Sequence, residues 1–374
     1  HCGRLKGGDC SRNKKAPVVF ITHMEHHSNH TSWYETSADL VVVPPGDGLL
    51  FDTQKLREEL EKYKDRELKI GAFTACSNVT GVFTPIHEMA RIMHEYGGLC
   101  FVDYAASAPY VDINMNPGDP MEKLDAVFFS PHKFLGGPGS SGVMVFDSNL
   151  YKNPTPDDPG GGTVDWTNPW GGHKYIEEIE AREDGGTPAF LQTIRVALCI
   201  RLKEKMCVKN ILAREEEMLD RIWPRLDQLP NLHILADIVR QRLGLVSFYI
   251  DGLHYNLGVI LLNVRFGVQV RGGCSCSGTY GHYLLHVDEE MSRNITCEID
   301  EGDLSHKPGW IRMSVHPTNT MEEIDFICDA ILEITENHKE WAKDYRYDPK
   351  SNEFIHRSNG KDELNQMRSF FTLS

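Results

Sequence analysis

The 374-residue sequence lacks long apolar runs and an excess of basic residues. No apolar run approaches the roughly 18 residues that a membrane-spanning helix needs, and residues 1–17 contain no apolar stretch of the kind that signal peptides carry. Acidic residues outnumber basic ones, with 54 Asp and Glu against 39 Lys and Arg, which gives a net charge of −15. A nucleic-acid-binding protein usually carries a basic stripe. We therefore expect a protein that neither crosses a membrane nor binds nucleic acid.

The ten cysteines are scattered, and none of them forms the C-x-x-C pair that zinc ribbons use. A chain of this size buries a sizeable core and does not need disulfide bonds for stability. We therefore expect reduced thiols and a cytoplasmic protein. His23, His26, His27 and His30 have spacings that could gather a metal ion on a helix, but His23 ends a predicted strand, so we expect no metal site.

The length predicts two or three domains, and the composition is that of a folded protein, with 40% hydrophobic and 25% charged residues. In the first half, apolar β-rich runs alternate with helical patterns. This alternation predicts an α/β fold with a largely parallel sheet. The predicted strands are 16–23, 39–45, 69–77, 98–106, 125–130 and 141–147, and the predicted helices are 53–64 and 85–97.

The second half has a different pattern, which predicts a smaller α+β domain. Helices are predicted at 188–208, 209–229, 257–265 and 322–341, with a strand at 245–250 and a polar insertion at 286–309. We therefore divide the chain into a large domain at 1–206, a small domain at 207–345 and a polar tail at 346–374.

The segment 98–142 carries the residues with the clearest chemistry. One predicted buried strand ends in Asp103, and the next ends just before Lys133 and a Gly-rich loop. The carboxyl ends of parallel strands line the ligand crevice of such sheets, so Asp103 and Lys133 should face the same crevice. A carboxylate and a lysine are the groups that pyridoxal phosphate requires, while Ser130 and His132 could bind a phosphate. Taken alone, these residues would also fit an ordinary loop, and the Gly-rich loop lacks the P-loop order.

Eight segments occur in the order found in one enzyme family. They are EHHSN (25–29), SNVTG (77–81), VDYAASAP (102–109), SPHKFLGGPGSSG (130–142), GGGT (160–163), EDGGTP (183–188), VRGGCSC (270–276) and WIRMS (310–314). In these segments the chain resembles the class V aminotransferases, and most closely their cysteine desulfurase/selenocysteine lyase branch. The resemblance covers residues 16–340. It implies a fold type I pyridoxal-phosphate-dependent transferase, with a mostly parallel seven-stranded sheet in the large domain and a smaller α+β C-terminal domain.

The resemblance implies a role for each matching residue around pyridoxal 5'-phosphate. Lys133 resembles the Schiff-base lysine, and Asp103 resembles the partner of the pyridine nitrogen. His27, the second histidine of EHH, resembles the residue that stacks on the cofactor ring. The residues that resemble phosphate ligands are Ser130, His132 and, toward the neighbouring subunit of an implied homodimer, Thr187.

The resemblance also implies a substrate site and a nucleophile. Asn78 and Arg312 match the groups that bind the carboxylate of an amino-acid substrate, for which arginine offers a bidentate fork. Cys276 lies five residues after Arg271, which matches the R-x-G-x-x-C spacing of the desulfurase loop. In that loop the thiolate attacks the substrate's sulfur and becomes a persulfide.

The neighbouring cysteine leaves the identity of the nucleophile open, since Cys274 is a second candidate. A nucleophilic thiol must be accessible and partly ionised. The glycine-flanked loop suits access, and His282 or a cofactor-bound intermediate could assist deprotonation. The expected reaction is the conversion of L-cysteine to L-alanine with a persulfide on Cys276, followed by sulfur transfer to an acceptor protein.

Three departures from the family pattern keep other functions open. Ala106 stands where a glutamine near the cofactor's phenolic oxygen is usual, and the C-S-C pair and the 286–309 insertion are uncommon. The Gly-Thr phosphate-binding turn that the family places before its first strand is not found before residue 16, so we expect a longer natural protein or an incomplete phosphate site. The alternatives are a class V aminotransferase or β-lyase without a thiol nucleophile, and a non-catalytic protein on a degenerate fold.

Overall fold

The computed structural model describes residues 16–358 and contains a six-stranded central sheet. Its strands are β1 Val18–Thr22, β2 Asp39–Val43, β3 Lys69–Thr74, β4 Leu99–Asp103, β5 Ala126–Phe129 and β6 Val143–Phe146. They lie in the order β2-β1-β3-β4-β5-β6; the first five are parallel, and β6 is antiparallel to β5. The predicted α/β fold with a mostly parallel sheet is confirmed, although six strands rather than seven lie within the described residues.

Three helices accompany the parallel strands: α1 His27–Tyr34, α2 Thr53–Lys62 and α3 Ile86–Glu95. Every residue of β1 is buried, as expected for a parallel strand that is covered on both faces. On α3, the buried side chains of Met89 and Met93 recur at helical spacing within the core of the sheet. This packing fixes the strands so that the loops after β1, β3, β4 and β5 meet at one edge of the sheet.

The segment after the sheet consists of a hairpin and two helices. These are β7 Val164–Thr167, β8 His173–Tyr175, α4 Ile179–Glu183 and α5 Phe190–Met206. Lys203 on α5 donates hydrogen bonds to the carbonyl oxygens of Ala108, at 2.7 Å, and of Val111. Because both carbonyls belong to the loop after β4, α5 is tied to the strand that ends in Asp103.

The C-terminal half forms a second sheet, which is antiparallel. Its strands are β9 Leu232–Ile234, β10 Leu245–Ile250, β11 Arg271–Gly273 and β12 Trp310–Ser314, in the order β11-β12-β10-β9. The helices are α6 Val208–Leu226, α7 Tyr255–Phe266, α8 Gly278–Leu284, α9 Glu289–Asp300 and α10 Met321–Trp341. One apolar cluster joins α6, α7 and α10 to this sheet, and α10 begins at a capping box formed by Thr320 and Glu323.

Regular structure also lies in the predicted polar insertion and in the predicted polar tail. Within the stretch 286–309, Asp288 caps α9 by accepting a hydrogen bond from the Met291 amide. Most residues of this helix are polar, so composition alone favours a loop, whereas the cap and the glutamates of the first turn stabilise a helix. In the region expected to be a polar tail, β13 Tyr345–Asp348 and β14 Glu353–His356 form a hairpin that contacts α7.

No helix within residues 16–358 is both long enough and apolar enough to cross a membrane. The eight cysteines in this part of the chain carry free thiols, whereas Cys2 and Cys10 lie outside the described residues, as does 359–374 of the expected tail. Within the same residues, no cluster of three or more His, Cys, Asp or Glu side chains is arranged to hold a metal ion.

Candidate active site

A cleft of about 670 Å³ lies at the carboxyl ends of the parallel strands. Its walls come from the loops after β1, β3, β4 and β5 and from the start of β6. Five residues that the sequence singled out line this cleft: Asn78, Asp103, Ser130, His132 and Lys133. The structure thus brings together the amine, the carboxylate and the two candidate phosphate ligands that were identified from separate motifs.

Asp103 and Lys133 alter each other's protonation. Asp103 ends β4, and its carboxylate accepts a hydrogen bond from the Ala105 amide at 2.7 Å. Burial raises the pKa of Asp103, although the Ala105 N–H and the charge of Lys133 oppose this shift. Burial lowers the pKa of the Lys133 amine against the opposing Asp103 carboxylate, and the positive charges of Arg312 and Arg271 lower it further. A lysine with a lowered pKa loses its proton more readily and is a better nucleophile.

The first histidine of the EHH motif, His26, lines the cleft, and His27 is not part of its wall. His26 caps α1: its Nδ1 accepts a hydrogen bond from the Ser28 amide at 3.1 Å, so the proton of the neutral ring lies on Nε2. Burial and the charge of Lys133 lower the pKa of His26, which favours this neutral form. The His27 ring accepts a hydrogen bond from the Gly278 amide at 2.9 Å and therefore joins α1 to α8.

Arg312 and Asn78 form a polar pair with open hydrogen-bonding positions. Arg312, on β12, donates from Nη1 to the carbonyl oxygen of Asn78 at 2.8 Å. Arg312 Nε and Asn78 Oδ1 are both buried and have no hydrogen-bond partner. Burial and the like charge of Arg271 lower the pKa of Arg312, so an anion beside it would be stabilising. An unpaired donor and an unpaired acceptor at this place favour a ligand that offers both, such as an amino acid.

The two cysteines of the VRGGCSC motif lie on one tight turn. A hydrogen bond of 3.1 Å from the Ser277 amide to the Cys274 carbonyl closes it. Its central residues, Ser275 and Cys276, have φ angles of +52° and +58°, which are typical of a type I′ turn. Arg271 Nη2 donates a hydrogen bond to Cys276 Sγ at 3.4 Å. This hydrogen bond holds the Arg271 guanidinium beside the Cys276 sulfur.

Two other candidates lie apart from these groups. Thr187 is exposed on the segment before α5. His282 engages both ring nitrogens elsewhere, with Gly278 O at 2.7 Å and Ser292 Oγ at 2.8 Å, so it does not serve as the base for the Cys276 thiol. The residue that sequence reasoning missed is His26. Adjacent histidines leave open which ring enters a cleft, and the cap position before α1 decides it.

Known proteins resemble this chain over most of its length. The model of the aminotransferase class-V family matches residues 10–327. A probable cysteine desulfurase of Halalkalibacterium halodurans is 30% identical over 69% of this chain and 61% of its own length. Cysteine desulfurases of Haloferax volcanii and Synechococcus elongatus are 27% and 28% identical over 84% and 86% of this chain. These matches cover 67% and 46% of the two relatives, so the chain spans part of the proteins that it resembles.

Solved structures share the fold. The apo structure of a cysteine desulfurase from Thermococcus onnurineus NA1 has a TM-score of 0.71 at 24% identity, over 88% of this chain and 75% of that one. The cysteine desulfurase CsdA from Escherichia coli has a TM-score of 0.71 at 21% identity, over 87% of this chain and 74% of that one. Likeness at this identity supports the fold, and the family model covers most of the chain. From both, the chain belongs to the aminotransferase class-V family.

Proposed function

We propose that the chain is a pyridoxal-phosphate-dependent enzyme that removes sulfur from L-cysteine. The observation that carries this proposal is a single cleft that contains Lys133 and Asp103. The charges of Arg312 and Arg271 act on Lys133, and Arg271 donates a hydrogen bond to Cys276 Sγ. Relatives named cysteine desulfurase support the same reaction. The products are L-alanine and a persulfide, from which sulfur passes to an acceptor protein.

The polar groups of the cleft fit pyridoxal phosphate. Lys133 supplies an amine for the cofactor's aldehyde carbon, and Asp103 supplies a buried carboxylate for the pyridine nitrogen. Ser130 and His132 supply a hydroxyl and an imidazole for the phosphate. The bound cofactor supplies an electron sink for bond cleavage at the amino acid. Ala106 also lines the cleft, but its methyl group offers no hydrogen bond where the family usually has glutamine.

We assign the ring-stacking role to His26 instead of His27. His26 lines the cleft, and its pKa is lowered by burial and by Lys133, so the ring is neutral when it meets the cofactor. His27 is engaged with the Gly278 amide. Its position supports the contact between α1 and α8.

The remaining residues bind the amino acid and move its proton. Arg312 Nε and Asn78 Oδ1, both unpaired, receive the carboxylate and an N–H of the substrate. Lys133, with its lowered pKa, accepts the α-proton on Nζ and later returns it. The side chains therefore orient the substrate before any bond breaks.

Cys276 carries out the sulfur step. Its thiolate attacks the sulfur of L-cysteine, a sulfur–sulfur bond forms, and the bond between that sulfur and the β-carbon breaks. The electron pair of the broken bond stays with the β-carbon, which takes up a proton to complete alanine. The Arg271 guanidinium donates a hydrogen bond to Sγ at 3.4 Å and so orients the attacking sulfur.

A second copy of the chain is the proposed partner. Five apolar side chains of α5 are exposed at spacings that place several of them on one face: Phe190, Leu191, Ile194, Leu198 and Leu202. An apolar stripe of this length marks an interaction surface in a folded protein. Thr187 precedes the same helix, so it would lie close to an interface formed by α5.

Absorption spectroscopy tests the cofactor assignment. The parent protein mixed with pyridoxal phosphate should show the visible band of lysine-bound pyridoxal, and Lys133→Ala should lack it. A parent protein without the band, or a Lys133→Ala variant that keeps it, contradicts the assignment.

Product analysis with L-cysteine then separates the reactions open to this family. Alanine identifies desulfuration. Pyruvate with ammonia identifies elimination by a β-lyase, and a keto acid with a second amino acid identifies transamination. Absence of both cofactor uptake and product identifies a non-catalytic protein.

A further inference from the structure

The turn that carries Cys276 has a strained backbone. Ser275 and Cys276 both have positive φ angles, a region in which the Cβ of an ordinary residue crowds the neighbouring carbonyl oxygen. Glycine, asparagine and aspartate tolerate this region best, and neither residue belongs to those types. Such a conformation persists only where surrounding contacts hold it in place.

The contacts that hold this turn come from the motifs at the start of the large domain. Asn78 Nδ2 donates a hydrogen bond of 2.8 Å to the Ser275 carbonyl, which lies 197 positions away along the chain. The His27 amide donates one of 2.7 Å to the Cys276 carbonyl. Both strained residues are therefore restrained through their carbonyl groups, one of them by a side chain.

The two polar atoms of the Asn78 side chain have different surroundings. Its Nδ2 is engaged with the Ser275 carbonyl, while its Oδ1 is buried and unpaired. Arg312, whose Nε is also unpaired, donates from Nη1 to the Asn78 carbonyl oxygen. A ligand that enters at Arg312 would meet the free end of an amide whose other end holds the turn.

We propose that Asn78 is a positioning residue for Cys276, in addition to any contact that it makes with the substrate. Its Nδ2 restrains the strained turn and keeps Cys276 Sγ next to Arg271, and its Oδ1 receives the ligand. One side chain thus connects ligand binding with the placement of the thiol. The catalytic consequence rests on the proposed function, but the restraint itself acts in the resting protein.

The test combines removal of the restraint with removal of the strain. Asn78→Ala deletes the hydrogen bond, and Asn78→Asp, which keeps Oδ1 but loses the donor, serves if the alanine variant does not fold. Ser275→Gly relieves the strain at one position of the turn. Ser275→Ala is the matched control, because it deletes a buried hydroxyl without a partner and keeps the strain.

The first readout is alkylation of Cys276 by iodoacetamide in the cofactor-loaded protein without substrate, in a Cys274→Ser background. Peptide mass spectrometry follows it at one fixed alkaline pH for all variants, so that differences in rate report access to the thiol. Asn78→Ala should raise the rate about three- to tenfold, as expected for loss of one hydrogen bond. Adding Ser275→Gly should return the rate toward that of the parent, and Ser275→Ala alone should not change it.

The second readout is the kinetics of alanine formation. Asn78→Ala should raise KM and lower kcat, and adding Ser275→Gly should restore kcat while KM stays high. Unchanged alkylation in Asn78→Ala, or no rescue by glycine, overturns the inference. A parent protein that binds the cofactor but forms no alanine contradicts the proposed function instead. The alkylation rates would still test whether Asn78 positions Cys276.

Discussion

At the residue level, the protonation of Lys133 and Asp103 depends on burial and on the charges around their cleft. Burial lowers the pKa of Lys133 and raises that of Asp103, while each group opposes the other's shift. Arg271 and Arg312 add positive charge on the same side. An incoming carboxylate is attracted to this site, and the amine of Lys133 is kept easy to deprotonate.

The contact between Arg271 and Cys276 gives a prediction about rate. Arg271→Leu removes the donor 3.4 Å from Sγ and should lower kcat for alanine formation about tenfold, because the hydrogen bond that orients the sulfur is lost. Arg271→Lys keeps a positively charged donor at this position, so its kcat should fall less than that of the leucine variant. A leucine variant with the kcat of the parent would show that the contact has no role in activating the thiol.

The two histidines of EHH give a second prediction, about cofactor affinity. His26→Gln should weaken pyridoxal-phosphate binding about tenfold, since it removes an aromatic ring from the cleft wall. His27→Gln should leave the affinity close to that of the parent, because its ring contacts Gly278 outside the wall. Absorption titration of both variants measures the difference, and the reverse order of affinities would restore the role that the sequence assigned to His27.

The position of a site residue can be predicted from sequence where the residue follows directly from a strand of the parallel sheet. Asp103 and Lys133 end neighbouring strands, so their meeting in one cleft follows from the parallel sheet. The choice between His26 and His27 depends on the first turn of α1, and the hydrogen bond between Asn78 and Ser275 depends on docking of distant segments. Neither leaves a local signal in the sequence.

At the scale of elements, a buried ion pair joins α3 to the loop before β5. His94 Nε2 lies 2.8 Å from Asp125 Oδ2, and these side chains are 11% and 1% exposed. The second ring nitrogen of His94 meets the Met121 carbonyl at 2.7 Å, so both nitrogens face acceptors and favour the doubly protonated ring. The hydrogen bond with Asp125 raises the pKa of His94. Burial opposes ionisation of Asp125, but hydrogen bonds from His94 and the Cys100 amide lower its pKa overall.

The pair predicts a pH-dependent contribution to stability. The contribution of His94 is complete below its ordinary pKa of 6.5 and is lost as pH rises through its raised value. The contribution of Asp125 is complete above its ordinary 3.8 and is lost as pH falls through its lowered value. Between pH 3.8 and pH 6.5, His94→Leu should reduce the free energy of unfolding by about 1–2 kcal/mol. At higher pH, the free energies of unfolding of the variant and the parent should become more similar.

Urea unfolding at several pH values measures this effect. His306→Leu is the matched control, because its pair with Glu298 is also 2.8 Å long but the histidine is 72% exposed. An exposed pair contributes little, so the control should unfold like the parent. A His94→Leu effect that is the same at every pH would contradict the proposed origin.

Elements of the first half were predictable because burial gives them a strong apolar pattern, continuous in β1, which is buried on both faces, and at helical spacing in α3, which is buried on one side. α9 and the β13–β14 hairpin were not, since neither has a long apolar run. α9 depends on its Asp288 cap, and the hairpin depends on contacts such as Asn352 Nδ2 with Tyr255 Oη, 97 positions apart. Contacts between such distant residues cannot be predicted from local composition.

For the whole molecule, the exposed apolar face of α5 predicts that two chains associate. Leu198 is 59% exposed, so Leu198→Glu should not destabilise a single chain but should separate a dimer. Light scattering should give the mass of two chains for the parent and of one for this variant. Val264→Glu on α7 is the control, with a similar exposure of 65%, and should remain dimeric. A parent with the mass of one chain contradicts the proposed partner.

In the proposed reaction, this cleft and this thiol together take sulfur from L-cysteine. The most direct measurement incubates the cofactor-loaded protein with L-cysteine, quantifies alanine, and determines the mass of the peptide that contains Cys276. We expect alanine and a mass gain of one sulfur atom on Cys276 in the parent, and neither product in Cys276→Ser, whereas Cys274→Ser should behave like the parent. Alanine formation at the parent's rate in Cys276→Ser would contradict the proposed role of this thiol.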